Sequence, residues 1–139
     1  MAVLFYNEDV PKPRLKFTTL KKWIISEIEI HGFKTGNVNY IFCSDEYLLD
    51  MNIKHLGHDY FTDIITFNYC ENNIISGDMY ISTDRIKENS LLLGTSVSEY
   101  YRVIIHGILH LCGFNDDTLE ETQEMRKLED EALMKLNLY

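Results

Sequence analysis

Cysteine, proline and positive charge are all in short supply in this chain, and each shortage removes a class of protein. The three cysteines, Cys43, Cys70 and Cys112, are widely spaced and form no CxxC pair. That argues against a disulfide framework and against a four-thiolate zinc site. Both prolines, Pro11 and Pro13, sit early, and no Gly/Ser/Pro-rich linker, repeat or low-complexity tract divides the sequence. Long hydrophobic runs are missing too: the most apolar stretch, Val103 to Phe114, is too short to span a bilayer and carries two histidines. The first residues, Met1 to Tyr6, lack a basic flank and enough apolar length for a signal peptide. A soluble protein of a reducing compartment, the cytoplasm, is expected. Finally, 13 Lys+Arg face 22 Asp+Glu, a formal charge of -9. Such a chain does not coat nucleic acid by bulk electrostatics, although a local patch can still meet it.

What is present is material for a core. Apolar residues make up 45% and aromatics 12% of 139 residues, which fits one domain, 1–139, burying about two-thirds of its unfolded surface. Val3 to Tyr6 reads as a strand. Thr18 to His31 places Leu20, Trp23, Ile24 and Ile28 at helical spacing, with Thr18 or Thr19 as N-cap and Gly32 as stop. Asn37 to Cys43 alternates as a strand, and Ser44 caps a helix through about Lys54. Asp63 to Tyr69 and Asp78 to Ser82 read as strands, joined hairpin-fashion through Glu71-Asn72-Asn73 and Gly77. Asp84, read as a helix cap, starts a short helix that ends at Gly94. Ser96 or Ser98 opens another that runs to Cys112 and stops at Gly113. Thr118 to Leu136 is a last amphipathic helix. The order β-α-β-α-β-β-α-α-α predicts an α/β (α+β) fold, a single mixed sheet of about four strands covered by about five helices.

Chemistry concentrates in His106-Gly107-Ile108-Leu109-His110-Leu111-Cys112-Gly113-Phe114-Asn115-Asp116-Asp117. On a helix, His106 and His110 stack on one face, so both imidazoles can reach one ion. Gly113 can end the helix in the left-handed conformation and let an oxygen of Asp116 or Asp117 approach the same ion. Two imidazoles and one carboxylate leave a position open for water, the arrangement of a catalytic zinc site, with another divalent metal also compatible. The pattern is close to the metalloprotease motif HExxHxxGxxH, but position 107 is Gly, so that motif's general base is missing. Cys112 lies about 200° around the helix from His110 and is assigned to the core.

The string HGILHLCGFNDD closely resembles the HGxLHLxGxDH signature of the YbeY-type endoribonucleases. Thr62-Asp63-Ile64-Ile65-Thr66-Phe67 looks like that family's TDVLSF strand, and Gly77-Asp78-Met79-Tyr80-Ile81-Ser82 like its GDIxIS strand. Asn52 falls where the family's LN precedes the TD segment, and Glu99 matches the acid on the histidine helix. Order and spacing agree from about Ser44 to the C-terminus. The resemblance implies a zinc-dependent, single-strand-specific endoribonuclease that acts in ribosomal RNA 3' end maturation and ribosome quality control. Its partners would be single-stranded RNA and the ribosome or a ribosomal protein, with no membrane. The family ligands carry over to His106 and His110. The family's third ligand is His, and its position here is Asp116, while Asn115 stands where the family has Asp. Leu56 occupies a place where many members carry an Arg thought to contact RNA; Arg85 or Arg102 could supply that role.

Glu99, Arg102 and His106 share a helix face. They read either as a surface ion pair or as a support shell, Glu99 orienting a ligand imidazole and Arg102 facing substrate phosphate. Asp63, Glu99 or a metal-bound hydroxide are the candidates for the proton acceptor. Asp63 and Asp78 otherwise serve as strand-end turns, and His55 or His58 could replace Asp116 as a ligand. The basic run Lys12, Arg14, Lys16, Lys21 and Lys22 reads as a solvated face or a phosphate contact. The strand aromatics read mostly as packing, and no spacing selects one for base stacking. Two other functions fit the residues: a metal-stabilised ribosome-associated binding protein with little catalysis, and a zinc peptidase or amidohydrolase, which Gly107 disfavours.

Overall fold

A computed structural model describes residues 2–93 and 98–137. Its elements follow the expected order: β1 (Val3–Asn7), α1 (Phe17–Ile30), β2 (Lys34–Cys43), α2 (Asp45–Met51), β3 (Ile64–Asn68), β4 (Ile74–Ser82), α3 (Thr83–Leu93), α4 (Ser98–Leu111) and α5 (Leu119–Leu136). A π-helical turn, Asn52–Leu56, extends α2 and ends at Gly57. The strands form one mixed sheet in the order β1-β2-β4-β3, with β3 antiparallel to β4 and the other pairings parallel.

Period-two alternation divides the sheet into two faces. Val3, Phe5, Val38, Tyr40, Phe42, Ile75, Met79 and Ile81 point into the main core, against Leu20, Trp23, Ile24 and Ile28 of α1 and the apolar face of α4. Ile65 and Cys43 face the other way and pack with Leu48 of α2. Two buried polar groups tie helices to this frame. Tyr40 donates its hydroxyl hydrogen to Ile104 O of α4 at 2.9 Å, and the Trp23 indole N–H donates to Ala132 O of α5 at 2.9 Å. Because the polar tip of each ring finds a carbonyl, its apolar body can be buried without an unpaired donor. Among the described residues, no helix is long and apolar enough to cross a membrane.

Several boundaries differ from the pattern reading, each for a local reason. Helix α1 starts at Phe17, with Lys16 as N-cap and no side-chain cap bond, so Thr18 and Thr19 lie inside the first turn. Phe17 packs on Phe5 at 4.8 Å between ring centroids, which draws the helix start upstream. Strands β2 and β4 begin earlier than predicted, because Lys34 and Thr35 pair with Ile74 and Ile75 beyond an irregularity that breaks the alternation. Gly77 lies within β4, and the hairpin turn is made by Asn72 and Asn73, at φ 49° and 66°. Asn tolerates this region better than most residues. Asp84 does not cap its own helix: its Oδ2 accepts from the backbone N–H of Asp45 at the start of α2, while Ser82 Oγ accepts from Arg85 N at the start of α3. Gly94 and Ser96 lie outside the described residues, and α4 opens at Ser98.

Candidate metal centre

Helix α4 buries Val103, Ile104, Ile105, Ile108 and Leu109, while the His106 and His110 rings lie on its half-buried side. Position 107 faces the sheet. A Cβ there would collide with Met79 Sδ and lie 3.0 Å from Ile64 Cδ1, so Gly107 lets the helix sit close on β3 and β4. The acid of a peptidase motif would point into the sheet here, not toward the histidines.

Gly113, at φ 99°, ends α4. Phe114 N donates to Leu109 O at 3.0 Å and Gly113 N to His110 O at 3.0 Å, the paired bonds of a left-handed helix stop. The chain then doubles back and is clamped, Thr122 Oγ1 donating to Asp116 O at 3.1 Å. A capping box between Thr118 and Glu121 starts α5 immediately afterwards. This turn brings Asp116 to the histidines. His106 Nε2 and His110 Nε2 are 2.9 Å apart, and Asp116 Oδ2 lies 3.5 Å from the first and 3.6 Å from the second. A point equidistant from these three atoms lies about 1.9 Å from each, close to zinc–nitrogen and zinc–oxygen bond lengths of about 2.0–2.2 Å. The group can hold a metal ion. His55 and His58 are occupied elsewhere, His55 edge-on to Phe67 and His58 stacked on Tyr60.

The orientation of His106 is set from α5. Its Nδ1 lies 2.6 Å from Oε2 of the buried Glu129. A carboxylate only accepts, so Nδ1 carries the proton and Nε2 presents its lone pair toward His110 and Asp116. Arg102 donates to the other Glu129 oxygen and to Asp130 Oδ1, each at 2.8 Å. Burial alone would push the His106 pKa down, but the hydrogen bond and charge of Glu129, with Asp116 and Asp63, outweigh it and leave the pKa raised. Burial likewise opposes ionisation of Glu129, yet His106 and Arg102 hold its pKa below the ordinary value. The expected shell is therefore corrected. The carboxylate that orients the His106 imidazole is Glu129, not Glu99, and Arg102, expected to face substrate phosphate, is bound to Glu129 and Asp130. Glu129 was missed because it lies far away in sequence. The available signal was a charged residue on the buried stripe of α5, between Met125 and Ala132.

Comparison with known proteins decides the family. The YbeY family model, described as endoribonuclease YbeY, matches residues 7–137. The chain belongs to the YbeY endoribonuclease family. Its relatives include the endoribonuclease YbeY of Parabacteroides distasonis, 48% identical over 96% of this chain and 94% of that one. The endoribonuclease YbeY of Bacteroides thetaiotaomicron is 46% identical over 96% and 98%. The fold matches the solution structure of a Thermotoga maritima protein at TM-score 0.66 and 24% identity, covering 97% of this chain and 91% of that one. Members of the YbeY family are hydrolytic nucleases, and this chain is accordingly an enzyme.

For a YbeY-family nuclease the surroundings of the histidines matter as much as the ligand atoms. A cleft of about 260 Å³ opens beside His106 and Asp116, lined also by Asp63, Glu99, Arg102 and Arg126. Burial pushes the Asp63 carboxyl above its ordinary pKa, partly opposed by the charge of His106. Glu99 is buried on the same wall. Asp78 is elsewhere, accepting from Asn39 Nδ2 at 3.0 Å. Leu56 is exposed, and Arg85, one of its two proposed substitutes, is held by Asp45 at 2.6 Å. Arg126, which the sequence reading did not single out, lines the cleft, and among the described residues it forms no ion pair.

Proposed function

We propose that this protein is a zinc-dependent endoribonuclease that cuts single-stranded RNA as one domain, residues 1–139. Its substrate is ribosomal RNA in 3' end maturation and ribosome quality control, in the cytoplasm and in company with the ribosome or a ribosomal protein. The observation that carries this reading is the convergence of His106 Nε2, His110 Nε2 and Asp116 Oδ2, with the His106 tautomer set by Glu129. A chain in the YbeY family with that donor set has the parts of an open catalytic site.

His106, His110 and Asp116 would hold the ion, which when bound supplies Lewis-acid polarisation of water and of a phosphoryl oxygen. Asp63 is the proton acceptor in this reading: it lines the cleft, and its raised pKa makes the carboxylate a better base. Glu99, buried among the same lining residues, is the second carboxylate able to accept a proton there. Arg102 is a positioning residue that holds Glu129 against His106. Arg126 takes the phosphate contact that Leu56 cannot make.

Metal analysis of the purified protein, paired with cleavage of a single-stranded RNA with and without chelator, tests the reading. Zinc at about one equivalent, with chelator-sensitive cleavage lost in His106→Ala, is the expected result. Full cleavage by metal-free His106→Ala protein would refute it.

A further inference from the structure

The 260 Å³ cleft holds only part of an RNA strand, so the bases flanking the cut must lie outside it. Three and two residues upstream of the cleft-lining Asp63, the chain exposes adjacent aromatics: Tyr60 is 56% and Phe61 51% accessible. Three residues of extended chain span at most about 11 Å, so the backbone that carries both rings lies within that reach of the cleft wall at Asp63.

The loop that carries them is built to stay in place. Buried Asn52 grips it twice: its carbonyl accepts from His58 N at 3.1 Å, and its side-chain amide donates to Tyr60 O at 2.9 Å. Each ring is also backed by a nitrogen-bearing side chain. The imidazole of His58 stacks on Tyr60, with centroids 5.2 Å apart and planes 18° apart. The Arg85 guanidinium lies 5.2 Å above the Phe61 ring while its other edge is fixed to Asp45. Rings carried on a loop whose backbone is held by hydrogen bonds, and backed on one face, leave the other face for a second planar partner.

We propose that Tyr60 and Phe61 form a base-stacking platform for the single-stranded RNA substrate next to the metal cleft. This inference rests on the nuclease reading above. The nearby cleft of a YbeY-family nuclease favours RNA bases as the occupant. At -9 the chain gains little from phosphates overall, whereas stacking on an uncharged ring costs nothing electrostatically and suits any base. A stacked base also requires the unpaired strand that a duplex withholds, so the platform accounts for single-strand preference.

The test uses full-length zinc-loaded protein and a fluorescent 2'-O-methyl oligouridine of about ten residues, checked by gel to be uncut after each binding measurement, beside its abasic counterpart. Tyr60→Ala/Phe61→Ala, with zinc content and melting temperature matching the parent, is expected to bind the oligouridine roughly tenfold or more weakly. Tyr60→Trp and Phe61→Trp are expected to keep the affinity, and the parent is expected to bind the abasic strand as poorly as the double Ala variant. With a cleavable RNA, KM rises and kcat holds. Equal oligouridine affinity in parent and double Ala variant overturns the platform, even if RNA is still cut and the nuclease reading stands. If that equality comes with lost co-sedimentation with ribosomal subunits, the patch is a protein contact instead. Ring-dependent binding by a protein that cuts no RNA keeps the platform and removes the nuclease reading.

Discussion

Glu129 shows how much one side chain can decide. It touches no ion in the proposed site, yet it chooses the tautomer of His106 and receives Arg102 on its other oxygen. Carboxylates behind ligand imidazoles typically contribute 10- to 100-fold in metal affinity. Glu129→Gln keeps the shape but removes the charge, and chelator competition is expected to show a loss of about tenfold or more. Asp45 offers a separate test by pH. Burial favours its neutral form, but the bonds from Arg85 and Ser82 prevail and hold its pKa below the ordinary carboxylate range. A carboxylate with a depressed folded pKa stabilises the protein above its unfolded pKa and loses that contribution as pH falls through the folded value. The melting-temperature gap between parent and Asp45→Asn is therefore expected to be full at about pH 6 and to shrink below about pH 4. A gap that stays constant into strong acid would contradict the assignment.

At the scale of elements, the turn from α4 to α5 makes the site. Its geometry depends on one left-handed residue, Gly113, and on a helix start only a few residues later. Gly113→Ala places a Cβ where the backbone resists it, at a cost of about 1–2 kcal/mol. Thr118→Ala removes the cap of α5 at about 1 kcal/mol. Both are expected to lower the melting temperature and to weaken metal binding, because either change loosens the loop that presents Asp116; thermal unfolding and chelator competition read the two effects separately. The other side of α4 has the opposite sensitivity. Gly107→Glu would complete a peptidase-like motif on paper, but the side chain would press on Met79 and Ile64. The expected result is destabilisation by about 1–3 kcal/mol and no peptidase activity, measured by denaturant unfolding and peptide hydrolysis.

Across the whole molecule, the proposed ligands draw on α4 and the loop before α5, while α5 itself is lashed to α1 through Trp23. Metal binding should therefore report on global stability. Trp23 is fully buried and is the chain's one tryptophan, so its emission follows unfolding. Zinc at about 100 times Kd should add about 2.7 kcal/mol, and chelator should lower the melting temperature read from Trp23. An unchanged melting curve would speak against metal in the native fold. The acidity gains meaning at this scale. Five of the nine net negative charges fall between residues 61 and 117, the stretch that contains His106, His110 and Asp116. In the proposed site, a cation held there would relieve like-charge repulsion and would bring a positive centre to a substrate phosphate.

Much of this was determined within short stretches of chain. The two faces of α4, the stacking of His106 on His110, the helix stop at Gly113 and the element order all follow from local periodicity and single-residue backbone preference. Local sequence also identified Asp116 once the family motif was aligned, because the distance from His110 is a single turn. Tertiary structure decided what arrives from a distance. Glu129 meets His106 across 23 positions, Asp63 enters the cleft from the loop before β3, and Arg126 reaches it from α5 while Arg85 is held elsewhere. The irregular pairing of Lys34 and Thr35 and the exposed rings of Tyr60 and Phe61 also became visible only in three dimensions. Helix and strand periods constrain neighbours a few residues apart, whereas contacts between elements depend on how the sheet and helices pack, and no spacing along one segment encodes that.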